Sequence, residues 1–200
     1  MAGFDFDLND NRKRRNKKKR IRSMLFLLLE TVAVIVLAFF LVRIAIERTA
    51  MPGTSMEPTL AADTSIVVNK LAYMRKGPER FDVIVFAQEG EEHSYYHVKR
   101  VIGLPGETVQ IVNGSVYING VMLKETVRDL PKIHLAGLAE TEFTLDADEY
   151  FVLGDNRNKS EDSRFANIGN VTKKQIVGKA WFTLKPFNII SQMNLEKNKQ

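Results

Sequence analysis

Met24 to Ile46 is an apolar run of 23 residues interrupted by Glu30 and Arg43. At about 1.5 Å per residue, a helix of that length covers a hydrocarbon core of roughly 30 Å, so the run predicts a transmembrane helix. A basic block, residues 12–22, abuts it on the N-terminal side. Positive charge is retained in the cytoplasm, which predicts a cytoplasmic N-terminus and places residues 47–200 on the outer face. The chain therefore divides into a basic cytoplasmic segment (1–23), a single-pass span in the cell membrane (24–46) and an extracytoplasmic domain (47–200). Two other readings compete. A cleaved signal peptide would have a shorter apolar core and a small-residue cleavage site, neither of which is evident. A basic RNA-binding arm would not need an adjoining span. Glu30 and Arg43 lie near the two ends of the run, where both can snorkel to water.

The charge balance supports this division. The net charge is +5, but residues 1–22 hold nine Lys/Arg against three Asp, leaving twenty against twenty-one elsewhere. The outer part thus carries no basic surplus for phosphate contacts, and no nucleic-acid partner is expected. The chain has no cysteine. That excludes disulfides, a cysteine nucleophile and thiolate metal sites. The three histidines lack zinc spacing and the acidic residues fit no calcium-loop register, so neither metal nor cofactor is expected.

Beyond the span the pattern becomes short β-branched and aromatic runs. Residues 65–69, 81–86, 95–104, 108–112, 115–119, 121–123, 149–153 and 179–184 read as strands. Asn113-Gly114 is the strongest hairpin signal. Thr172 is placed to cap a short helix over 173–176. Residues 124–142 read as a poorly packed insertion or flap. The outer domain is therefore mainly β, with no 20–50 residue repeat.

Ser55 is the candidate nucleophile. Pro52 and Pro58 bracket it on a stiff, non-helical turn. A serine hydroxyl attacks poorly until a partner takes its proton. His93, His97 or His134 with Asp155 or Asp162 would make a Ser-His-Asp arrangement. Lys99, among β-branched neighbours, is an alternative base, since lost hydration lowers an amine's pKa; from the residues alone it reads more readily as an edge-strand charge. The polar stretch 154–164 reads as a loop with a local Asp162–Arg164 ion pair, in which Ser160 can position the Lys99 amine.

Four stretches carry a resemblance: Ser-Met-Glu-Pro-Thr-Leu at 55–60, Phe-Asp-Val-Ile-Val-Phe at 81–86, Val-Lys-Arg-Val-Ile-Gly-Leu-Pro-Gly-Glu at 98–107, and Gly-Asp-Asn-Arg with the following Ser-x-Asp-Ser-Arg at 154–164. In this order, after an N-terminal anchor, they resemble the boxes of bacterial type I signal peptidases. The compact outer part is similar to the Gram-positive form. The resemblance implies an antiparallel β-sheet or partly open barrel of the signal-peptidase type. It implies Ser55 as nucleophile, Lys99 as general base, Ser160 as the residue orienting the lysine, and Asp162 and Arg164 as a structural ion pair. The Ser55 backbone N–H would form part of the oxyanion hole. Where some members carry an assisting serine, this chain has Gly53, so a backbone N–H near Gly53 or the Thr54 side chain is expected in its place. Met51, Leu60 and Val98 correspond to shallow pockets for small apolar side chains.

The expected function is cleavage of N-terminal signal peptides from exported preproteins after small residues, at the bilayer and beside the export machinery. Ile46 and Ser55 are nine residues apart, so the serine lies within about 30 Å of the end of the anchor. A signal peptide would emerge at that membrane face. A non-catalytic anchored β-domain serving as a secretion scaffold is the alternative. A self-cleaving Ser-Lys regulator is a third reading, and it would need no membrane span.

Overall fold

The computed structural model describes residues 4–51, 53–88, 96–125, 127 and 130–190, with side chains from residue 17 onward. The chain forms two units, 1–44 and 45–200. The first is a single helix, α1, Phe4–Ala45. One stretch of it, Lys17–Ala45, is long and apolar enough to cross a membrane, with a mean hydropathy of 2.9. Its apolar side chains, from Met24 to Ile44, are exposed all round the helix. That is what a lipid-facing span requires, because no one face is reserved for a protein partner. Ile46, expected as the last helical residue, instead begins a strand: pairing with a neighbouring strand outweighs helix propagation at this β-branched position.

The second unit is mainly β. Its strands are β1 Ile46–Ala50, β2 Ser65–Asn69, β3 Val83–Ala87, β4 Tyr96–Gly103, β5 Thr108–Val112, β6 Ser115–Ile118, β7 Val121–Met122, β8 Phe143–Thr144, β9 Glu149–Leu153, β10 Val171–Thr172, β11 Ile176–Leu184 and β12 Phe187–Ile189. The larger sheet runs β1-β2-β11-β3-β4-β9-β10, with β12 pairing β11. A smaller four-stranded sheet runs β7-β6-β5-β8. All pairings are antiparallel. Register shifts interrupt β11 against both β2 and β3, and β4 against β9. Such bulges add local bend and twist, and they curl the large sheet into a half-barrel.

β4 is the hub of this unit because it feeds all three apolar clusters. Val98 packs with Met51, Met56, Leu60, Val85 and Ala180; Ile102 packs with Val109, Val116, Phe151 and Leu153; Val101 packs with Ile84, Phe86 and Val152. Each buried aliphatic side chain contributes roughly 1.5–3 kcal/mol, so β4 is held on both faces. Lys99 is buried, so it is not the exposed edge-strand charge it reads as in the sequence, although β9 pairs β4 only from Arg100 onward. The segment expected to be a poorly packed flap is also different. Ile133 and Ala139 are buried in the second cluster, and a short 3₁₀ helix covers Gly137–Glu140. The predicted helix after Thr172 is a 3₁₀ turn, Lys173–Gln175, with a capping box between Thr172 and Gln175.

Candidate active site

Ser55 sits on the tight turn 53–59, reached directly from β1. Glu57 N donates to Thr54 O at 3.1 Å and Leu60 N to Met56 O at 2.9 Å, while Met56 and Leu60 are buried in the first cluster. The turn is thus nailed down by its apolar side and leaves Ser55 half-buried. Pro58 follows within the turn; Pro52 lies outside the described residues. Gly53 has φ +88 with nothing within 4 Å of where a Cβ would be. A serine there would have room but would suffer a left-handed backbone, which explains the glycine and removes a side-chain oxyanion donor from that position.

Lys99 Nζ lies 2.9 Å from Ser55 Oγ. Lys99 is 4 % exposed, and it stands opposite Ile84 across the β3–β4 ladder. Burial pulls its pKa from 10.5 to about 8, against the opposing pull of the Asp162 and Glu161 carboxylates. An amine that ionises near 8 is substantially neutral at mildly alkaline pH, and it can take the serine proton.

The loop 154–164 closes over this pair. Asn156 N donates to Ser55 O at 3.0 Å and Asn156 Nδ2 to Thr54 O at 3.1 Å. A Cβ on Gly154 would come 2.5 Å from Ser55 O and 2.1 Å from Ser160 Oγ, so only glycine lets the loop approach so closely. Asp162 and Arg164 form a buried bidentate pair, 2.7 and 2.9 Å, and Gly154 N donates to Asp162 Oδ2 at 3.0 Å. The remaining Arg164 donors reach the carbonyls of Leu135, Arg157 and Ser160. This pair is therefore an organising centre rather than a surface bridge. Ser160 is buried beside Gly154, but its hydroxyl donates to Glu161 O at 3.4 Å and makes no hydrogen bond to the Lys99 amine.

A second buried network was not visible in the sequence. Arg100 donates to both Asp155 oxygens, at 2.8 and 2.6 Å, and to Phe81 O; Thr59 Oγ1 donates to Asp155 Oδ2 at 2.5 Å. It links β4, the serine turn and the 154–164 loop. The signal for it was the adjacency of Lys99 and Arg100, which alternation along a strand sends to opposite faces. Both aspartates considered for a histidine triad are instead engaged by arginines, Asp155 by Arg100 and Asp162 by Arg164. His97 stacks on Phe86, 5.3 Å between centroids, and His134 is exposed. His93 lies outside the described residues. Met51, Leu60 and Val98, expected to line substrate pockets, are at most 2 % exposed and belong to the first cluster. Among the described residues no group of His, Asp or Glu is arranged to hold a metal ion.

Comparison with known proteins gives one consistent result. The family model described as "Signal peptidase, peptidase S26" matches residues 24–185. Signal peptidase I of Leptolyngbya laminosa is 37 % identical over 165 residues, spanning 80 % of this chain and 78 % of that protein. Signal peptidase I P of Bacillus subtilis subsp. natto is 36 % identical over 164 residues, spanning 78 % and 86 %. The crystal structure of a signal peptidase I from Enterococcus faecalis V583 is 34 % identical, covers 52 % of this chain and 97 % of that one, and has a TM-score of 0.39.

Proposed function

The chain belongs to the signal peptidase family, peptidase S26, as a membrane-bound serine peptidase that cleaves signal peptides, and we propose that Ser55 is its nucleophile and Lys99 its general base. The observation that carries this reading is the 2.9 Å approach of a buried lysine amine to a serine hydroxyl across 44 residues of chain.

In the proposed reaction the neutral Lys99 amine takes the Ser55 proton as Oγ attacks the scissile carbonyl. The oxyanion formed is met by the Ser55 backbone N–H and by a second donor near Gly53 or Thr54. Collapse breaks the C–N bond, and the Lys99 ammonium returns the proton to the leaving amine. Water, deprotonated by Lys99, then attacks the acyl carbon; collapse breaks the acyl C–Oγ bond, and the Lys99 ammonium returns its proton to Ser55 Oγ, restoring the neutral amine. Ser160 is proposed to accept a hydrogen from the amine as this cycle proceeds, turning the lone pair towards Ser55. Asp162 and Arg164 are proposed to hold the loop that carries Ser160, whose hydroxyl would have to turn from Glu161 O to the amine.

The preprotein is proposed to bind as an added strand. Residues Tyr96–Lys99 pair with β3 on one side, whereas β9 pairs only from Arg100 onward. The β9 side of that stretch leads to the base, and an extended peptide is proposed to lie along it. Single-pass insertion with a cytoplasmic N-terminus is proposed from the basic residues before the span. The scaffold alternative is not favoured, because it leaves the dyad unexplained.

The test is cleavage of a preprotein by Ser55→Ala and Lys99→Ala. Each is expected to lose at least about 10³-fold in kcat with the fold retained by circular dichroism. Activity surviving in Lys99→Ala but lost in His97→Ala would overturn the dyad.

A further inference from the structure

β1 and β4 are four steps apart in the large sheet, with β2, β11 and β3 between them. In a flat sheet their axes would stand about 19 Å apart, further than a tyrosine and a glutamate can bridge. Yet Tyr96 Oη on β4 donates to Glu47 Oε1 on β1 at 2.9 Å. The contact is possible only because the sheet curls, and it joins the two arms across the mouth of that curl. Glu47 is itself held: Lys70 Nζ, just beyond β2, donates to Glu47 Oε2 at 3.0 Å. Beneath the contact lies the first apolar cluster, to which β1's continuation gives Met51 and β4 gives Val98, with Tyr96 packed against it.

The two arms are the ones the chemistry uses. β1 runs through Met51 into the Ser55 turn, and Tyr96 precedes Lys99 by three residues on the same strand. Glu47 also lies on β1, at the end of the strand order beside β2, and Tyr96 begins the part of β4 that precedes its pairing with β9. We propose that the Glu47–Tyr96 hydrogen bond is a strut that sets the separation of the nucleophile arm and the base arm, making both side chains positioning residues for the Ser55–Lys99 dyad. The proposal rests on the dyad reading above. The mutual shift of the two groups agrees with the contact: the Glu47 carboxylate raises the Tyr96 pKa, and the Lys70 and Tyr96 hydrogen bonds hold Glu47 below its ordinary value although burial opposes them.

The experiment uses the full-length protein in detergent micelles with a signal-peptide-spanning peptide substrate, and Tyr96→Phe, Glu47→Leu, Glu47→Gln and the Tyr96→Phe/Glu47→Leu double variant. Tyr96→Phe and Glu47→Leu are each expected to lower kcat about tenfold, with KM within about twofold, because the strut aligns reacting groups rather than gripping substrate. The double variant should be no slower than the worse single one. Glu47→Gln keeps an acceptor for the tyrosine hydroxyl and should retain most of kcat. Acylation of Ser55 by a small lactam inhibitor, which needs the dyad but not the peptide site, should slow in parallel. Additive losses, a kcat in Tyr96→Phe within twofold of wild type, or losses that merely follow the thermal midpoint would overturn the strut. Ser55→Ala and Lys99→Ala run alongside: activity in either would sink the dyad reading itself, whereas inactive controls with undisturbed strut variants would sink only this inference.

Discussion

Lys99 has a functional state that conflicts with its stability. Burial lowers its folded pKa to about 8, whereas the unfolded chain keeps the value near 10.5. Between those two values the unfolded state holds a proton that the folded state does not, so stability rises with pH through that window. Below about pH 8 both states are protonated and the folded one bears the full penalty, of the order of 3 kcal/mol. Lys99→Met should therefore be inactive yet more stable than wild type at pH 7 by about 1–3 kcal/mol, an advantage that shrinks as pH climbs towards 10.5. Urea unfolding of both proteins at several pH values measures it; a less stable Lys99→Met at pH 7 would contradict the argument. The same ionisation predicts a kcat that rises about tenfold per pH unit below a midpoint near 8 and levels off above it. At this scale the sequence showed which residues carry reactive groups and could not show their ionisation. A lysine between valine and arginine reads more readily as a solubilising edge charge until its burial beside the serine turn is known.

The 154–164 loop sets the geometry of the site, and its stability is concentrated in one buried pair. Asp162→Asn would leave the Arg164 guanidinium charged, buried and without its counter-ion, which typically costs about 3–5 kcal/mol. The expected result is a large fall in the thermal midpoint together with loss of activity, whereas Lys159→Ala, on the exposed side of the same loop, should shift neither appreciably. Calorimetry with a cleavage assay separates the two. The ion pair itself was legible, because its members are two residues apart. Its burial was not, since the shielding comes from distant chain: Leu135 O accepts from Arg164 Nη1, Leu138 N donates to Arg164 O, and Arg157 pairs with Glu125. The segment 124–142 looked like a flap because its buried residues, Val127, Ile133 and Ala139, stand six positions apart, too sparse to register as a helical or strand pattern. β8 and β10, two residues each, likewise carry no periodicity to detect, and they form only because a longer strand offers them a partner.

For the whole molecule, the charge asymmetry around the span makes a prediction independent of catalysis. Replacing Lys17, Lys18, Lys19, Arg20 and Arg22 with glutamine removes five of the nine basic residues proposed to hold the N-terminus in the cytoplasm. A measurable fraction of the chains should then insert the other way round, visible as loss of protease accessibility of residues 45–200 from the outer side. Unchanged accessibility would mean that these charges do not set topology. What the sequence determined by itself was what local chemistry dictates. A long apolar run beside positive charge specifies a span, alternation with Asn-Gly turns specifies antiparallel strands, and the four ordered boxes specify a family. Only the tertiary structure decided which polar groups meet: Lys99 with Ser55, Asp155 with Arg100 and Thr59, Tyr96 with Glu47. Those contacts join positions 44 to 96 residues apart, and they exist because bulged strands curl one sheet around its apolar core. Sequence separation carries no record of that curvature, so the ionisation of the base and the alignment of the dyad follow from the folded chain alone.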